Sequence, residues 1–269
     1  MPLYTDQLMR SVQIPSIPKK IISLVPSQSE LLFDLGLDNE VIGITKFCIH
    51  PDIWFRTKTR VGGTKNLDLE KIRNLQPDLV IANREENVEE QINLLARDLP
   101  VWVSDIKDMN GALSMIRSIG NITGKEEKAI KLCNSIEKEF NQLKAAIQNK
   151  KQAVYLIWKD PLMTVGGDTF INEMMEYAGF INLFKNKTRY PVISPGDIQS
   201  LNSASNGGNS LILLSSEPYP FRQKHIEELQ EQLPGFQFLL VDGEMFSWYG
   251  SRLEKAPAYF MSLHNQITA

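Results

Sequence analysis

From Thr123 to Lys150 the chain places Ala129, Leu132, Cys133, Ile136, Phe140, Leu143 and Ile147 in steps of three and four residues. Such steps draw one apolar stripe along a single helix. The remaining positions are mostly Lys, Glu, Gln and Asn, and Thr123 with Glu126 forms a capping-box pattern at its start. At 1.5 Å per residue the segment is roughly 35–40 Å long, about the length of a small domain. It reads as a strut with both halves of the chain packed along its stripe; a coiled-coil arm is the competing reading. The expected organisation is an N-terminal α/β lobe over 1–122, a connecting helix over 123–150 and a C-terminal α/β lobe over 151–269.

On both sides of this helix, short apolar runs alternate with helical patterns. Strands are expected at Ile21–Val25, Val41–Thr45, Asp78–Ala82 and Val101–Ser104, and again at Ala153–Trp158, Leu211–Ser215 and Gln237–Val241. Helices are expected at Ser29–Leu35, Leu67–Leu75, Val88–Leu99, Met109–Gly120, Phe170–Tyr177, Lys224–Gln232 and Leu253–Gln266. Ser27 with Glu30, Asn66, Asn87 with Glu90, and Asp108 supply cap patterns. Alternation of this kind implies mostly parallel sheets covered on both faces. Asn202–Asn209, NSASNGGN, reads as a flexible loop. Gly62-Gly63 and Gly166-Gly167 recur at matching places in the two halves, where paired glycines either let backbone approach closely or make a tight turn.

Composition narrows the class of function. The net charge of -3 gives no reason to expect nucleic acid or an anionic membrane as a partner. No apolar run approaches the ~20 residues of a membrane span. Residues 1–20 have neither a continuous apolar core nor a small-residue cleavage site, so they do not read as a signal peptide. On that reading the chain either stays in the cytoplasm or has lost a leader. Cys48 and Cys133 match no CxxC or zinc spacing and are expected as free thiols.

Catalytic signatures are missing: there is no GxSxG, HExxH, Walker A or GxGxxG at a strand–helix junction. Cys48 and His50 offer two metal-ligand types, with Asp160, Asp168 or Glu244 as a third, but no one segment enforces the set. Ser27, His50 and a carboxylate make a weaker hydrolase pattern. His225, beside Glu227 and Glu228, reads as part of a solvated helix face. Binding chemistry is better represented. Phe47, Trp54 and Arg60 follow the second strand; Trp158, Lys159 and Met163 follow the first strand of the second lobe; Trp248, Tyr249 and Arg252 follow its last. Aromatic and cationic groups at strand ends suit a concave site for a large planar or macrocyclic ligand with acidic substituents.

The runs IISLVPSQSELLFDLGLDNEVIGIT and RVGGTKNLDLEKIRNLQPDLVIA, followed by the long helix, resemble the substrate-binding proteins of ABC importers of the cobalamin and ferric-siderophore type. The likeness extends over about Lys20–Gln266. It implies two α/β lobes with mostly parallel sheets bridged by one long helix, the class III periplasmic-binding-protein-like fold. It also implies a monomeric, non-enzymatic receptor that holds a corrinoid, haem or ferric siderophore in a cleft between the lobes, with no cofactor or metal of its own. Its partners would be an ABC permease with its ATPase, and its place the periplasm or cell envelope. Carried over position by position, the resemblance assigns ligand contacts to Ser27, Gln28, Phe47, His50, Thr64, Lys65, Asn83, Arg84, Trp158, Trp248 and Arg252; Arg60 and Tyr249 join them from the strand-end groups. Glu70 takes the permease-docking position, equally readable as a solvated helix-start carboxylate. Two alternatives stay open: a cytoplasmic enzyme or handover protein of cofactor metabolism on the same scaffold, and direct binding of a metal ion.

Overall fold

The computed structural model describes residues 1–15, 17–204 and 210–268. The chain divides into two compact units. Unit 1 comprises Met1–Ile136 together with Trp248–Arg252; unit 2 comprises Glu137–Ser247 and the residues from Leu253 onward.

Unit 1 opens with a hairpin of β1 (Leu3–Thr5) and β2 (Ser11–Gln13). Then come β3 (Ile21–Ser23), α1 (Pro26–Asp34), β4 (Val41–Ile44), α2 (Asp52–Thr57), β5 (Thr59–Arg60), α3 (Leu69–Asn74), β6 (Leu79–Asn83), α4 (Glu89–Leu95), β7 (Val101–Ser104), α5 (Met109–Thr123) and α6 (Glu126–Ala146). Five strands form a parallel sheet in the order β5-β4-β3-β6-β7. Every residue of β6 and β7 is buried, as expected of parallel strands covered on both faces. One face packs Ile22, Val61, Val80 and Val103 against Ile72 and Ile92 of the helices.

The hairpin was not expected. It lies along the outer strand β7, where Gln7 N donates to Val103 O at 3.1 Å. Asp6, 3% exposed, accepts from Leu8 N, Arg10 N and the Arg10 guanidinium, and from Val103 N across the edge. An otherwise open sheet edge is thereby covered.

The division between the units falls inside α6. Its early stripe packs on α5 so tightly that a Cβ on Gly120 would meet the Ala129 Cβ at 2.3 Å, while Phe140, later in the stripe, stacks edge-on against Tyr177 in unit 2. Thr123 does not cap α6. It closes α5, its hydroxyl bonded to Ile119 O, and Gly124 then turns the chain at φ +68°.

Unit 2 continues with β8 (Lys151–Trp158), β9 (Met163–Thr164), α7 (Phe170–Tyr177), β10 (Phe180–Asn182), α8 (Pro195–Ala204), β11 (Leu211–Ser215), α9 (Gln223–Gln232), β12 (Gln237–Val241), α10 (Gly243–Ser247) and, after a 3-10 turn at Ser251–Glu254, α11 (Ala256–Thr268). Its sheet runs β10-β8-β11-β12 in parallel, with β9 antiparallel on β8. Of the expected Asn202–Asn209 loop, residues 202–204 are the end of α8 and 205–209 lie outside the described residues. The Gly166-Gly167 pair sits where added Cβ atoms would lie 2.4 and 2.1 Å from the carbonyl oxygens of Lys187 and Lys185. Those glycines serve close approach of the unit's own backbone.

Candidate functional site at the carboxyl ends of the strands

In each sheet the chain leaves a central strand to one side and later returns on the other. In unit 1 the break lies between β3 and β6; in unit 2, between β8 and β11. Neighbouring strand ends splay apart at such a switch point, and ligands of open α/β sheets settle there.

At the unit 1 switch point, amides and hydroxyls form a closed network. The Asn83 side-chain carbonyl accepts from Glu85 N and Glu86 N at 2.8 and 3.0 Å, which folds the turn after β6. Its amide donates to Ser104 Oγ at 3.0 Å, and Gln28 Nε2 donates to the same oxygen at 2.5 Å. Asn87 accepts from Asn83 N and donates to Leu24 O and Thr64 O, joining the ends of β3 and β6 to the glycine turn. Gln28 is fully buried, and its Oε1 has no donor among the described residues. Cys48 is buried against Ser29 Oγ at 3.0 Å and Thr45 Oγ1 at 3.2 Å, and burial pushes its thiol up, away from the reactive thiolate.

The segment Trp248–Arg252 comes from the second half of the sequence and packs into unit 1. Arg252 forms a bidentate ion pair with Glu30 of α1, both bonds 2.9 Å, and stacks over the Trp248 ring at 4.5 Å. His50 meets the Trp248 side chain edge-on, ring centroids 5.6 Å apart. Gly250 lies so close to α1 that a Cβ would stand 2.5 Å from Ser27 O, and Ser251 bonds to Asp34. The Ser27–Glu30 pair is thus no capping box: Pro26 occupies the first helical position, Val25 precedes it, and Glu30 turns to Arg252.

The structure brings His50, Trp248 and Arg252 together and encloses Ser27, Gln28, Thr64, Asn83 and Tyr249. Phe47 and Ile49 stand half exposed, Lys46 lying over the Phe47 ring. Lys65 and Arg84 are exposed, Lys65 bonded to Glu85 O and Arg84 to Asp105. Arg60 turns to Phe55, bonding its carbonyl and stacking on its ring. Trp54 belongs to α2 and is fully buried, edge-on to Phe33. Glu70 is exposed in the first turn of α3, whose cap is Asp68, not Asn66.

At the unit 2 switch point Trp158, 39% exposed, lies edge-on to Tyr219 at 5.6 Å, and Tyr219 packs on Phe221 and His225. Lys159 pairs with Glu228. His225 is buried, against expectation: Nδ1 accepts from Arg222 N at 2.9 Å, capping α9, and burial lowers its pKa, aided by the neighbouring Lys159 and Lys224 charges. Among the described residues no group of three or more His, Cys, Asp or Glu is placed to hold a metal ion.

A family model described as periplasmic binding protein matches residues 21–233. The chain belongs to the periplasmic binding protein family. Among its relatives is an uncharacterised ABC transporter substrate-binding lipoprotein, YvrC, of Bacillus subtilis, 29% identical over 73% of this chain. Another is the vitamin B12-binding protein of Vibrio campbellii, 26% identical over 65% of it. The chain spans about 65% of the length of each. A periplasmic haem-binding protein from Pseudomonas aeruginosa shares the fold at TM-score 0.78 and 19% identity, over 92% of this chain and 93% of its own. The fold is that of the class III periplasmic binding proteins, as the sequence resemblance implied.

In this family member three groups near the switch points escaped the sequence reading. Glu86 sits beside Asn83 and Arg84; burial raises its pKa against the opposing Lys65 charge. Ser104 organises both Gln28 and Asn83 from the end of β7. Tyr219 packs edge-on against Trp158, and its signal was present: EPYPF follows an apolar strand after a single serine, with a proline on each side of the tyrosine.

Proposed function

We propose that the chain is the substrate-binding component of an ABC importer, capturing a corrinoid, haem or ferric siderophore and passing it unchanged to a membrane permease and its ATPase. One observation carries this reading. Large apolar groups stay exposed just past strand ends: Phe47 and Ile49 in the loop after β4 of unit 1, and Trp158 at the end of β8 in unit 2. Exposed aromatics at strand ends suit the face of a macrocyclic chelate, since they offer apolar area with few polar anchors.

The names of the relatives support the same class, and the vitamin B12-binding relative is consistent with a corrinoid as one of the cargoes. The polar groups at these strand ends position and bind; the buried, high-pKa Cys48 is a poor nucleophile. Glu70, exposed on α3, is the proposed contact with the permease. The lipoprotein and periplasmic relatives favour work at the cell envelope.

Trp54, Trp102 and Trp248 are buried, which leaves Trp158 as the fluorophore open to a ligand. Titration with cyanocobalamin, ferric protoporphyrin and ferric hydroxamates should give saturable quenching by one of them, lost in Trp158→Phe. No quenching of the unmodified chain by any of the three would count against the reading.

A further inference from the structure

The loop that follows β11 crosses the unit 2 switch point. Tyr219 N donates to Ile157 O of β8 at 3.3 Å, and Phe221 N is shared between Ser215 O at 3.3 Å and Tyr219 O at 2.9 Å. Residues 216–221, SEPYPF, thereby bridge the ends of β8 and β11, the two strands between which the chain's direction across the sheet breaks. Pro218 and Pro220 fix φ at their own positions on either side of the tyrosine, so the loop presents its side chain with little backbone freedom. That side chain is half-buried and lies edge-on to the exposed Trp158.

Hydrogen bonding at His225 sets the direction of the Tyr219 hydroxyl. His225 Nδ1 accepts from Arg222 N at 2.9 Å, which leaves the proton of the neutral imidazole on Nε2. Nε2 lies 3.4 Å from the Tyr219 hydroxyl oxygen, so that N–H donates to it, and the phenol's own hydrogen must turn to another acceptor. Among the described residues there is none: the side chain's remaining contacts are with the rings of Trp158, Phe221 and His225. The Trp158 indole N–H, by contrast, is already taken by Asp160 O at 3.1 Å. An exposed indole and an O–H without a protein acceptor therefore stand side by side at the end of the sheet.

Resting on the receptor reading, we infer that Tyr219 is a specificity-determining residue: its hydroxyl, aimed by His225, donates to an oxygen at the rim of a chelate whose face lies against Trp158. The group recognised is an oxygen acceptor, such as an amide carbonyl, a carboxylate or a hydroxamate. A rim of alkyl groups alone would cover the donor without satisfying it. Because the loop is bonded to β8 before any ligand arrives, little ordering cost falls on binding.

The test is a calorimetric titration at pH 7.5 of wild type, Tyr219→Phe, His225→Leu and the double variant. The probes are cyanocobalamin, ferric protoporphyrin and a ferric hydroxamate, all of which carry rim oxygens. Tyr219→Phe keeps the ring against Trp158 and removes only the hydroxyl. It should bind the chelate that wild type binds roughly five- to tenfold more weakly, the size of one net hydrogen bond. Tryptophan emission of the ligand-free variant should match wild type, which shows the Trp158 edge contact intact. His225→Leu alone should also weaken binding, yet cost nothing further when added to Tyr219→Phe, since the donor it aims is already gone. Binding by Tyr219→Phe within about twofold of wild type would overturn the inference while leaving a receptor in place. So would a shifted emission or a further loss in the double variant, either of which would make the role structural. Failure of all three chelates to bind wild type would remove the receptor reading, and this inference with it.

Discussion

Replacing Arg252 with methionine isolates what the Trp248–Arg252 segment does. Both side chains of the Arg252–Glu30 pair are only 9% exposed. Removing one partner of a buried pair leaves an uncompensated charge and typically costs about 3–5 kcal/mol. The cation stacked on Trp248 adds on the order of 1 kcal/mol, partly regained because methionine still covers the ring. A loss of about 4 kcal/mol corresponds to a fall in midpoint of roughly 7 °C if the whole chain unfolds together, and about twice that if unit 1 unfolds alone. Replacing both residues with apolar ones of similar volume should recover most of the loss, since buried pairs are often nearly neutral against a hydrophobic isostere. The assay is urea unfolding of wild type, Arg252→Met, Glu30→Met and the double variant, giving a coupling energy of at least about 2 kcal/mol. A single-variant cost under about 1 kcal/mol, or additive effects in the double, would refute the clamp. Arg252→Met protein that remains folded should also keep chelate affinity, because the guanidinium is committed to Glu30. A specific loss of affinity in folded Arg252→Met would return Arg252 to the ligand.

Gly250→Ala should destabilise unit 1 by roughly 1–3 kcal/mol, because its Cβ would stand 2.5 Å from Ser27 O; an unchanged urea midpoint would contradict the close approach. Asp6→Ala strips acceptors from Leu8 N, Arg10 N and Val103 N and should cost about 2–4 kcal/mol. Hydrogen exchange should then rise over residues 3–13 and along β7, and rise elsewhere only with global unfolding. Burial lowers the pKa of His225 and of His264, so the unfolded chain binds more protons below its ordinary value of about 6.5. Their stabilisation is present above about pH 6.5 and lost as pH falls through the window below it. Protonation at His225 also forfeits the Nδ1 acceptor that holds Arg222 N. The urea midpoint should therefore drop between pH 7.5 and 5.5, less steeply in His225→Gln; identical slopes would place the acid sensitivity elsewhere.

Strands were the most legible part of the chain. Val101–Ser104, Leu211–Ser215 and Gln237–Val241 fall where their apolar runs put them, because each pairs in parallel inside a sheet and length and pattern are set locally. Helix starts were less legible. A Ser or Thr three residues before Glu is a cap only if the intervening backbone allows it; Pro26 begins α1 before Ser27 can act, and the left-handed Gly124 separates Thr123 from α6. The N-terminal hairpin went unseen because its two strands are only three residues each and it docks on β7 through Gln7 and Val103, far along the chain. His225 looked solvated beside two glutamates, yet Tyr219 and Phe221 cover it from the preceding loop. In the candidate site the residue types were legible and their commitments were not. Arg252 reads as a free cation until Glu30, buried in α1, is brought to it. Tight-turn use of Gly62, at φ +100°, was one of the two readings its sequence allowed.

The central claim, that this chain captures an intact metal chelate, is tested most directly by isothermal titration of the full chain with cyanocobalamin, ferric protoporphyrin and ferric hydroxamates, with recovery of the bound compound afterwards. One-to-one binding of one of them at micromolar affinity or tighter is expected, with the chelate recovered chemically unchanged. No heat of binding from any of them, or recovery of an altered compound, would contradict it.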